Sequence, residues 1–312
     1  MNKTYFNEFT EQLKRKLLTE MGTKIKLDIH RTLKNNGITY HALAVLKEGC
    51  NVSPNICLDG FYHAYMEGMS ISEIAEEIIN ILESGNREQC LDLRFFTDFE
   101  EAKRHILFKI VNYEMNRKQL DKIPHIKFLD LAVTFYYGVR LKEISDDTAS
   151  IQIENSHLEM WGIDEGTLFD LAMENTVREM PARCMTICEV ILEIMKSNDM
   201  IPEKSSVEKF KREADEVPMY VLSNDKNYFG ASVIYYPGLL RQIAEKAGAD
   251  LIILPSSIHE VILMPVIHGK RQEALNEMIV DINENHVEKE EVLSNHWYYF
   301  DLERNELRMP PI

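Results

Sequence analysis

Short runs of β-branched and aromatic residues alternate with amphipathic helical segments along the chain, and turn residues separate them. Near the N-terminus, Ile25, Leu27 and Ile29 alternate with polar residues, and the tripeptide Asn-Asn-Gly at 35–37 then supplies residues that tolerate positive φ. The run ITYHALAVL follows with the composition of a strand. This segment predicts a hairpin with one face in water, and the whole pattern predicts an α+β fold in which antiparallel hairpins pack against helices.

A second antiparallel pair is predicted in the middle of the chain. The segment IKFLDLAVTFYYGV is dense in aromatic and branched residues, and a polar turn at 145–147 separates it from ASIQIEN, where Ile151 and Ile153 share a face. The earlier run ILFKIVNY fits a strand or a helix by length and composition. We favour a strand there.

Helices are predicted where apolar residues recur at helical spacing. Such segments lie at the N-terminus, at LDGFYHAYMEG, at SISEIAEEIINILES and at CMTICEVILEIMKS, which follows Pro181. Ser70 and Glu73 form a capping box before the third of these, and Asp164 can cap a further helix.

The length of 312 residues exceeds the ~250 to 300 at which a single core usually stops growing, so two modules are predicted. Residues 198–217 are rich in charge and poor in large apolar side chains, which indicates an exposed connection. It would separate an α+β region at 1–197 from a module at 218–312. The module has the predicted order β-β-α-β-β-α-β, from the runs VPMYVLS and ASVIYY, a helix starting at Pro237, the runs DLIIL and EVILMPV, a second helix starting near Arg271, and HWYYFDL.

The charge balance disfavours two classes of partner. With 35 basic and 51 acidic residues the formal net charge is -16, which repels nucleic-acid phosphates and anionic lipid. No run of ~18 apolar residues occurs, and the amphipathic N-terminus is unlike a signal peptide. Five scattered cysteines favour free thiols over a disulfide framework. We therefore expect a cytoplasmic protein without a nucleic-acid or membrane partner.

No pattern for a metal or cofactor is present. Cys184 and Cys188 lie four residues apart, but no third or fourth zinc ligand stands beside them. The pair His259 and Glu260 is not followed by the second histidine of a His-Glu-x-x-His helix. There is also no Gly-x-Gly-x-x-Gly and no phosphate loop, so no cofactor is predicted.

One short segment brings a hydroxyl, an imidazole and a carboxylate together, at Ser256, Ser257, His259 and Glu260. As a structural element it is a hairpin connection, in which Pro255 ends one strand, the serines bond back to their own backbone and the next strand starts at His259. Neighbouring strand residues point to opposite faces, which is a poor arrangement for a catalytic relay. We expect no catalytic residue here, but the four residues are candidates for contacting a ligand or partner.

The C-terminal third contains motifs that resemble a known family. They are Tyr228-Phe229-Gly230-Ala231, Tyr236-Pro237-Gly238, Leu254-Pro255-Ser256-Ser257-Ile258-His259-Glu260 and Trp297-Tyr298-Tyr299. These motifs, with PHIKFLDLAVTFYYGV and the segment from Ser53 to Gly68, resemble an uncharacterised bacterial family of unknown function of the DUF5688 type. More remotely the chain is similar to the YtpQ-like proteins. The resemblance covers most of the chain and implies no catalytic or binding residue.

The sequence therefore favours a non-enzymatic cytoplasmic protein that binds another protein or a small ligand, because no catalytic motif is present. The alternative is a hydrolase that uses Ser256 or Ser257 with His259. A third possibility, a regulator associated with nucleic acid, requires a local basic face within the acidic total.

Overall fold

The computed structural model describes residues 3–22, 24–48, 55–84, 97–139, 149–198, 218–255, 257–266 and 275–310. The chain divides into two compact units, one formed by Met1–Lys34 with Ile38–Arg94 and the other by Asn35–Gly37 with Phe95–Ile312. Each unit has its own hydrophobic core. None of the helices within the described ranges is long and apolar enough to cross a bilayer.

The described residues of the first unit form a three-stranded antiparallel sheet and three helices. Its elements are α1 (Lys3–Met21), β1 (Ile25–Leu33), β2 (Thr39–Lys47), β3 (Asn55–Cys57), α2 (Leu58–Met66) and α3 (Ile71–Ser84). The strand order is β1-β2-β3, and the predicted hairpin is confirmed, with positive φ at Asn36 and Gly37. The predicted capping box is also confirmed: the Ser70 N–H donates to Glu73 Oε2 at 2.8 Å, and the Glu73 N–H donates to Ser70 Oγ at 3.2 Å.

The second unit contains a four-stranded and a six-stranded sheet. Its elements are α4 (Phe99–Ala102), β4 (Ile106–Asn112), α5 (Arg117–Leu120), β5 (His125–Phe128), β6 (Leu131–Val139), β7 (Ala149–Gln152), α6 (Asn155–Trp161), α7 (Glu165–Glu179), β8 (Ala182–Thr186), α8 (Ile187–Ser197), β9 (Tyr220–Asn224), a 3-10 helix (Gly230–Tyr235), α9 (Leu239–Ala247), β10 (Leu251–Leu254), β11 (Val261–Pro265), α10 (Leu275–Asn285), β12 (Tyr298–Asp301) and β13 (Glu306–Arg308).

Both sheets of this unit are antiparallel. In the smaller sheet β6 is central, with β4 on one edge and with β5 and β7 pairing successive parts of the other edge. The larger sheet has the order β13-β12-β10-β11-β9-β8. These arrangements confirm the predicted α+β fold with antiparallel hairpins, and the predicted strand in ILFKIVNY is β4.

One apolar core joins the two sheets of the second unit. It contains the alternate residues of β4 and β6 that face inwards, such as Phe108 and Phe135, and residues of β10, β11 and β12 such as Ile253 and Tyr298. Helix α7 contributes Leu168 to the same core. Asp164 caps α7 as predicted, because its side chain accepts from the Thr167 N–H at 2.8 Å.

Side-chain hydroxyls cover the free edge of β4. The Phe108 N–H donates to Thr176 Oγ1 at 3.0 Å, and the Ile110 N–H donates to Ser232 Oγ at 3.2 Å. Thr176 lies on α7 and Ser232 on the 3-10 helix, so both elements are fixed along this edge. Buried backbone groups that lack a partner are costly, so the two hydroxyls allow an edge strand to be buried.

The sequence prediction was wrong for two segments. ASVIYY, predicted as a strand, forms the 3-10 helix up to Tyr235. Ser232 of this helix accepts from the Ile110 N–H, so the segment covers the edge of β4 through a side chain and not through strand pairing. CMTICEVILEIMKS, predicted as a helix throughout, begins inside β8 and becomes helical at Ile187. From residue 218 the observed order is β9, the 3-10 helix, α9, β10, β11, α10, β12 and β13.

The division into units differs from the predicted modules 1–197 and 218–312. Strands β8 and β9 pair with each other, from Ala182 with Asn224 to Thr186 with Tyr220, so the predicted boundary falls inside one sheet. Residues 199–217 and the predicted turn at 145–147 lie outside the described residues.

We expect Thr176→Val to lower the free energy of unfolding by about 1 to 3 kcal/mol, because the buried Phe108 N–H loses its acceptor without a change in side-chain shape. Urea denaturation measures the effect. Thr19→Val is the matched control, since Thr19 is exposed and its hydroxyl bonds back to its own helix as that of Thr176 does. Equal small losses in both variants would contradict the proposed role of Thr176 at the edge.

Candidate functional site

The outer face of the four-stranded sheet carries three successive cross-strand pairs of β4 and β6. Val111 pairs with Ala132, Lys109 with Thr134, and Leu107 with Tyr136. Separate apolar clusters cover the two ends of this row. One cluster consists of Val111, Leu120, Ile123, Ala132 and Tyr113, and the other of Leu107, Tyr136, Met180, Tyr228 and Phe229.

A small cavity lies at the middle pair, between the two clusters. Its volume is about 30 Å³, and the side chains that line it include Lys109, Thr134, Gln152, Asn116 and Leu120. This volume suffices for about two water molecules or for a chemical group of similar size. Both the sheet and the α5 region contribute polar and apolar residues to the lining: Thr134 and Val111 from the sheet, and Gln119 and Leu120 from α5.

Lys109 lines this cavity from the middle of a strand whose other six residues are buried. Burial lowers the pKa of Lys109 from 10.5 to about 8, because the charged ammonium loses water. No carboxylate of the described residues forms an ion pair with Nζ; its partners are the rings of Phe229, at 4.4 Å from Nζ to the ring centroid, and Tyr136, at 5.9 Å. These cation–π contacts offset part of the lost hydration.

Tyr136 remains a neutral hydroxyl beside this lysine. Burial raises its pKa, and the nearby Tyr228 and Tyr236 hydroxyls raise it further. The Tyr136 hydroxyl donates to Met180 Sδ at 3.7 Å. Tyr136 therefore supplies Lys109 with an aromatic ring and no negative charge.

Phe229 is held over Lys109 by a strained backbone. It adopts a left-handed conformation, with φ 51° and ψ 31°, and its N–H donates to His259 Nδ1 at 3.3 Å. Upstream, Asn224 Oδ1 accepts from the N–H of Lys226 and of Tyr228. The loop between β9 and the 3-10 helix is therefore fixed by hydrogen bonds at both ends.

Gly230 makes this loop geometry possible. A Cβ at residue 230 would lie 2.0 Å from Ser223 Oγ and 2.3 Å from the carbonyl oxygen of His259. Ser223 Oγ itself donates to that carbonyl at 2.8 Å. No side chain fits at such distances, so glycine is required for β9, the 3-10 helix and the His259 loop to meet.

His259 supports Phe229 from the loop between β10 and β11. The two rings are stacked, with an interplanar angle of 9° and centroids 6.0 Å apart. His259 Nδ1 accepts from the Phe229 N–H, which assigns the proton of the neutral ring to Nε2, and Nε2 lies 3.5 Å from Glu291 Oε1. Both ring nitrogens are thus directed at groups other than a serine.

The structure describes three of the four residues singled out in the sequence. Ser257 is buried; its Oγ accepts from the His259 N–H at 3.0 Å and its N–H donates to the Glu260 carbonyl oxygen at 3.4 Å. Neither ring nitrogen of His259 hydrogen-bonds to Ser257, and Ser256 lies outside the described residues. The segment connects β10 to β11, which starts at Val261 and not at His259 as predicted.

Sequence reasoning missed Lys109, Gln152 and the role of Phe229. The signal for Lys109 was a single lysine in the middle of ILFKIVN, a strand that is otherwise apolar apart from its last residue. Gln152 and Phe229 carried no such signal. Strand pairing brings Gln152 to the cavity, and a loop whose path depends on Gly230 brings Phe229 to Lys109.

The cysteine and histidine groups form no further site in the described part of the chain. No group of three His, Cys, Asp or Glu side chains there could hold a metal ion. Cys184 lies on β8 and Cys188 on α8, and both are free. In the first unit, Asp59 bonds to His41 Nδ1 at 3.0 Å and lies 3.9 Å from Cys57 Sγ. The Asp59 carboxylate thus contacts both the imidazole and the thiol. In an activated cysteine the imidazole itself contacts the thiol, so this cluster does not have that arrangement.

These features define the second unit as an antiparallel α+β structure with a lysine at a polar cavity on a sheet face. The chain belongs to a family of unknown function, DUF5688, whose model matches residues 6–302. No curated protein and no solved structure matches the chain, and no match supports the more remote similarity to the YtpQ-like proteins.

We expect Gly230→Ala to destabilise the protein by more than about 2 kcal/mol, because a Cβ cannot be placed without moving the His259 backbone. Urea denaturation measures the loss. Gly166→Ala is the matched control: its Cβ would meet Asp164 Oδ1 at 3.7 Å, an ordinary contact, and alanine is favoured in a helix. A Gly230→Ala variant as stable as the control would contradict the close approach.

We expect Lys109→Met to raise the free energy of unfolding at pH 7 by about 1 to 3 kcal/mol. The lowered pKa corresponds to a penalty of about 3 kcal/mol for the folded ammonium, and the lost cation–π contacts offset part of the gain. Below pH 8 the penalty is complete, because the lysine is protonated in both states. Between pH 8 and 10.5 the folded lysine is neutral and the unfolded one is still charged, so the penalty declines as pH rises.

Urea denaturation of the wild type and the variant at pH 7 and pH 9.5 measures this difference. The advantage of the variant should be smaller at pH 9.5. Lys127→Met is the control, because Lys127 is an exposed lysine of the same sheet whose ammonium lies 4.5 Å from a tyrosine ring centroid. A pH-independent difference for Lys109→Met would show that its charge carries no burial penalty.

Proposed function

We propose that this protein is a non-enzymatic, cytoplasmic binding protein for a small ligand, and that the ligand binds at the cavity beside Lys109. The observation that carries the proposal is an ammonium group placed in an otherwise buried strand, at a cavity, without a carboxylate partner among the described residues. Charges in such places are costly unless they are paired. A negatively charged ligand would supply the missing partner.

The size and walls of the cavity favour a small ligand over a macromolecule. About 30 Å³ accommodates one polar group, and the flanking apolar clusters leave a recess in place of a broad, flat surface. The net charge of -16 argues against nucleic acid and anionic lipid as the source of the negative group.

The contacts of the candidate residues support binding more than catalysis. His259 uses Nδ1 to position Phe229, and its Nε2 faces Glu291, so neither ring nitrogen is available as a base for Ser257. A hydrolase that uses Ser256 remains a prediction, because that residue lies outside the described ranges. The free thiols of the three cysteines described, Cys57, Cys184 and Cys188, fit a reducing compartment such as the cytoplasm.

Thermal unfolding with a panel of small carboxylates, phosphates and neutral analogues tests the proposal. We expect at least one anion to stabilise the wild type; at ten times its dissociation constant, it would add about 1.4 kcal/mol and raise the melting temperature by a few degrees. The shift should disappear in Lys109→Met and persist in Lys127→Met. Stabilisation by no member of the panel, or an equal shift in Lys109→Met, would refute the site.

A further inference from the structure

The hydrogen-bond donors and acceptors that are still free at the cavity indicate which chemical groups a ligand would carry. Gln152 Nε2 donates to the carbonyl oxygens of Phe135, at 2.7 Å, and Ile153, at 3.2 Å. These two bonds use both of its donors and fix the orientation of the amide. Gln152 lines the cavity, and its Oε1 accepts no hydrogen bond within the described part of the chain. Gln152 therefore offers the cavity an acceptor.

The other polar side chains that line the cavity are those of Lys109, Thr134, Asn116, Asn35 and Gln119. Lys109 Nζ has three N–H donors and contacts only rings among the described residues. Thr134 Oγ1 directs its hydroxyl towards the Lys109 carbonyl oxygen at 3.5 Å, which leaves its lone pairs as acceptors. Asn116 is already engaged, since its Nδ2 donates to the Asn112 carbonyl oxygen at 2.8 Å. Gln119 also lines the cavity, and its side-chain amide makes no hydrogen bond within the described part of the chain. The open capacity is thus one cationic donor, one neutral amide and neighbouring neutral acceptors.

A ligand that matches this capacity carries an anionic group for Lys109 and a hydrogen-bond donor for Gln152. The donor must be neutral, because an ammonium on the ligand would meet the Lys109 charge in a space of about 30 Å³. The same volume limits the anionic group to about the size of a carboxylate, and Leu120 and Val111 would contact the carbon atoms beside it. Any longer part of the ligand must extend out of the cavity.

We propose that the ligand is a hydroxycarboxylate, whose carboxylate pairs with the Lys109 ammonium and whose hydroxyl donates to Gln152 Oε1. This inference rests on the proposed function, because it specifies the ligand of the same cavity.

Three small carboxylates test the two contacts separately: glycolate, acetate and glycine. They share the carboxylate and differ at one position, which is a hydroxyl, a hydrogen or an ammonium. Titrations followed by amide chemical shifts of the full chain give the dissociation constants. We expect glycolate to bind about five-fold more tightly than acetate, since one neutral hydrogen bond contributes about 1 kcal/mol, and glycine to bind more weakly than acetate.

Variants assign each preference to its residue. Lys109→Met should abolish binding of glycolate and acetate, and Lys127→Met should leave both unchanged. In Gln152→Met the dissociation constants of glycolate and acetate should become about equal. If loss of the two backbone hydrogen bonds unfolds that variant, the comparison of the three probes on the wild type still decides the ligand class, and the amide chemical-shift changes around Gln152 that glycolate causes and acetate does not locate the hydroxyl.

The outcomes separate the ligand class from the proposed function. Equal binding of glycolate and acetate that depends on Lys109 would overturn the hydroxycarboxylate and leave an anion site. Tightest binding by glycine would overturn the neutral donor. If none of the three binds but another anion stabilises the wild type through Lys109, the inference fails and the proposed function stands. If no anion acts through Lys109, both fail.

Discussion

Burial of strand β4 is the constraint on which the rest of the second unit depends. The strand lies at the edge of its sheet, where unpaired backbone groups would normally face water or another chain. Here α7 and the 3-10 helix cover that edge, and Thr176 and Ser232 accept from its N–H groups. The inner side chains of β4 join the core that is shared with the six-stranded sheet, and its outer side chains meet two smaller clusters. The strand is thereby fixed on all sides, and with it the position of Lys109.

The candidate site is a product of this covering. The two outer clusters leave a gap at the pair of Lys109 and Thr134, and Phe229 reaches the lysine because the backbone can pass Ser223 and His259 at Gly230. His259, which the sequence marked as a candidate for contacting a ligand or partner and, in the alternative, as part of a hydrolase, supports Phe229 in the structure. A cation surrounded by rings and neutral amides can gain more from an anionic ligand than a solvated lysine can, because it has already lost part of its hydration.

Most of the local structure could be predicted from the sequence, since it depends on neighbours along the chain. The hairpin around Asn36, the capping box at Ser70 and Glu73 and the cap at Asp164 need only a few adjacent residues, and all three are present. The predictions for the segments ASVIYY and CMTIC were wrong for the same reason. Each has the local composition of one element, but its conformation is decided by distant partners, the edge of β4 for the first and the edge of β9 for the second.

The sequence by itself determined the α+β class, the antiparallel pairing of neighbouring strands and the acidic surface charge, because these follow from short-range periodicity and composition. The tertiary structure decided the surroundings of Lys109. Lys109, Gln152 and Phe229 are remote in sequence and carry no motif together. Strand pairing places Lys109 and Gln152 at one cavity, and the close approach at Gly230 places the Phe229 ring against the Lys109 ammonium. A single lysine in an apolar run gives no sign of its partners until the sheet, the loop and the covering helix are assembled.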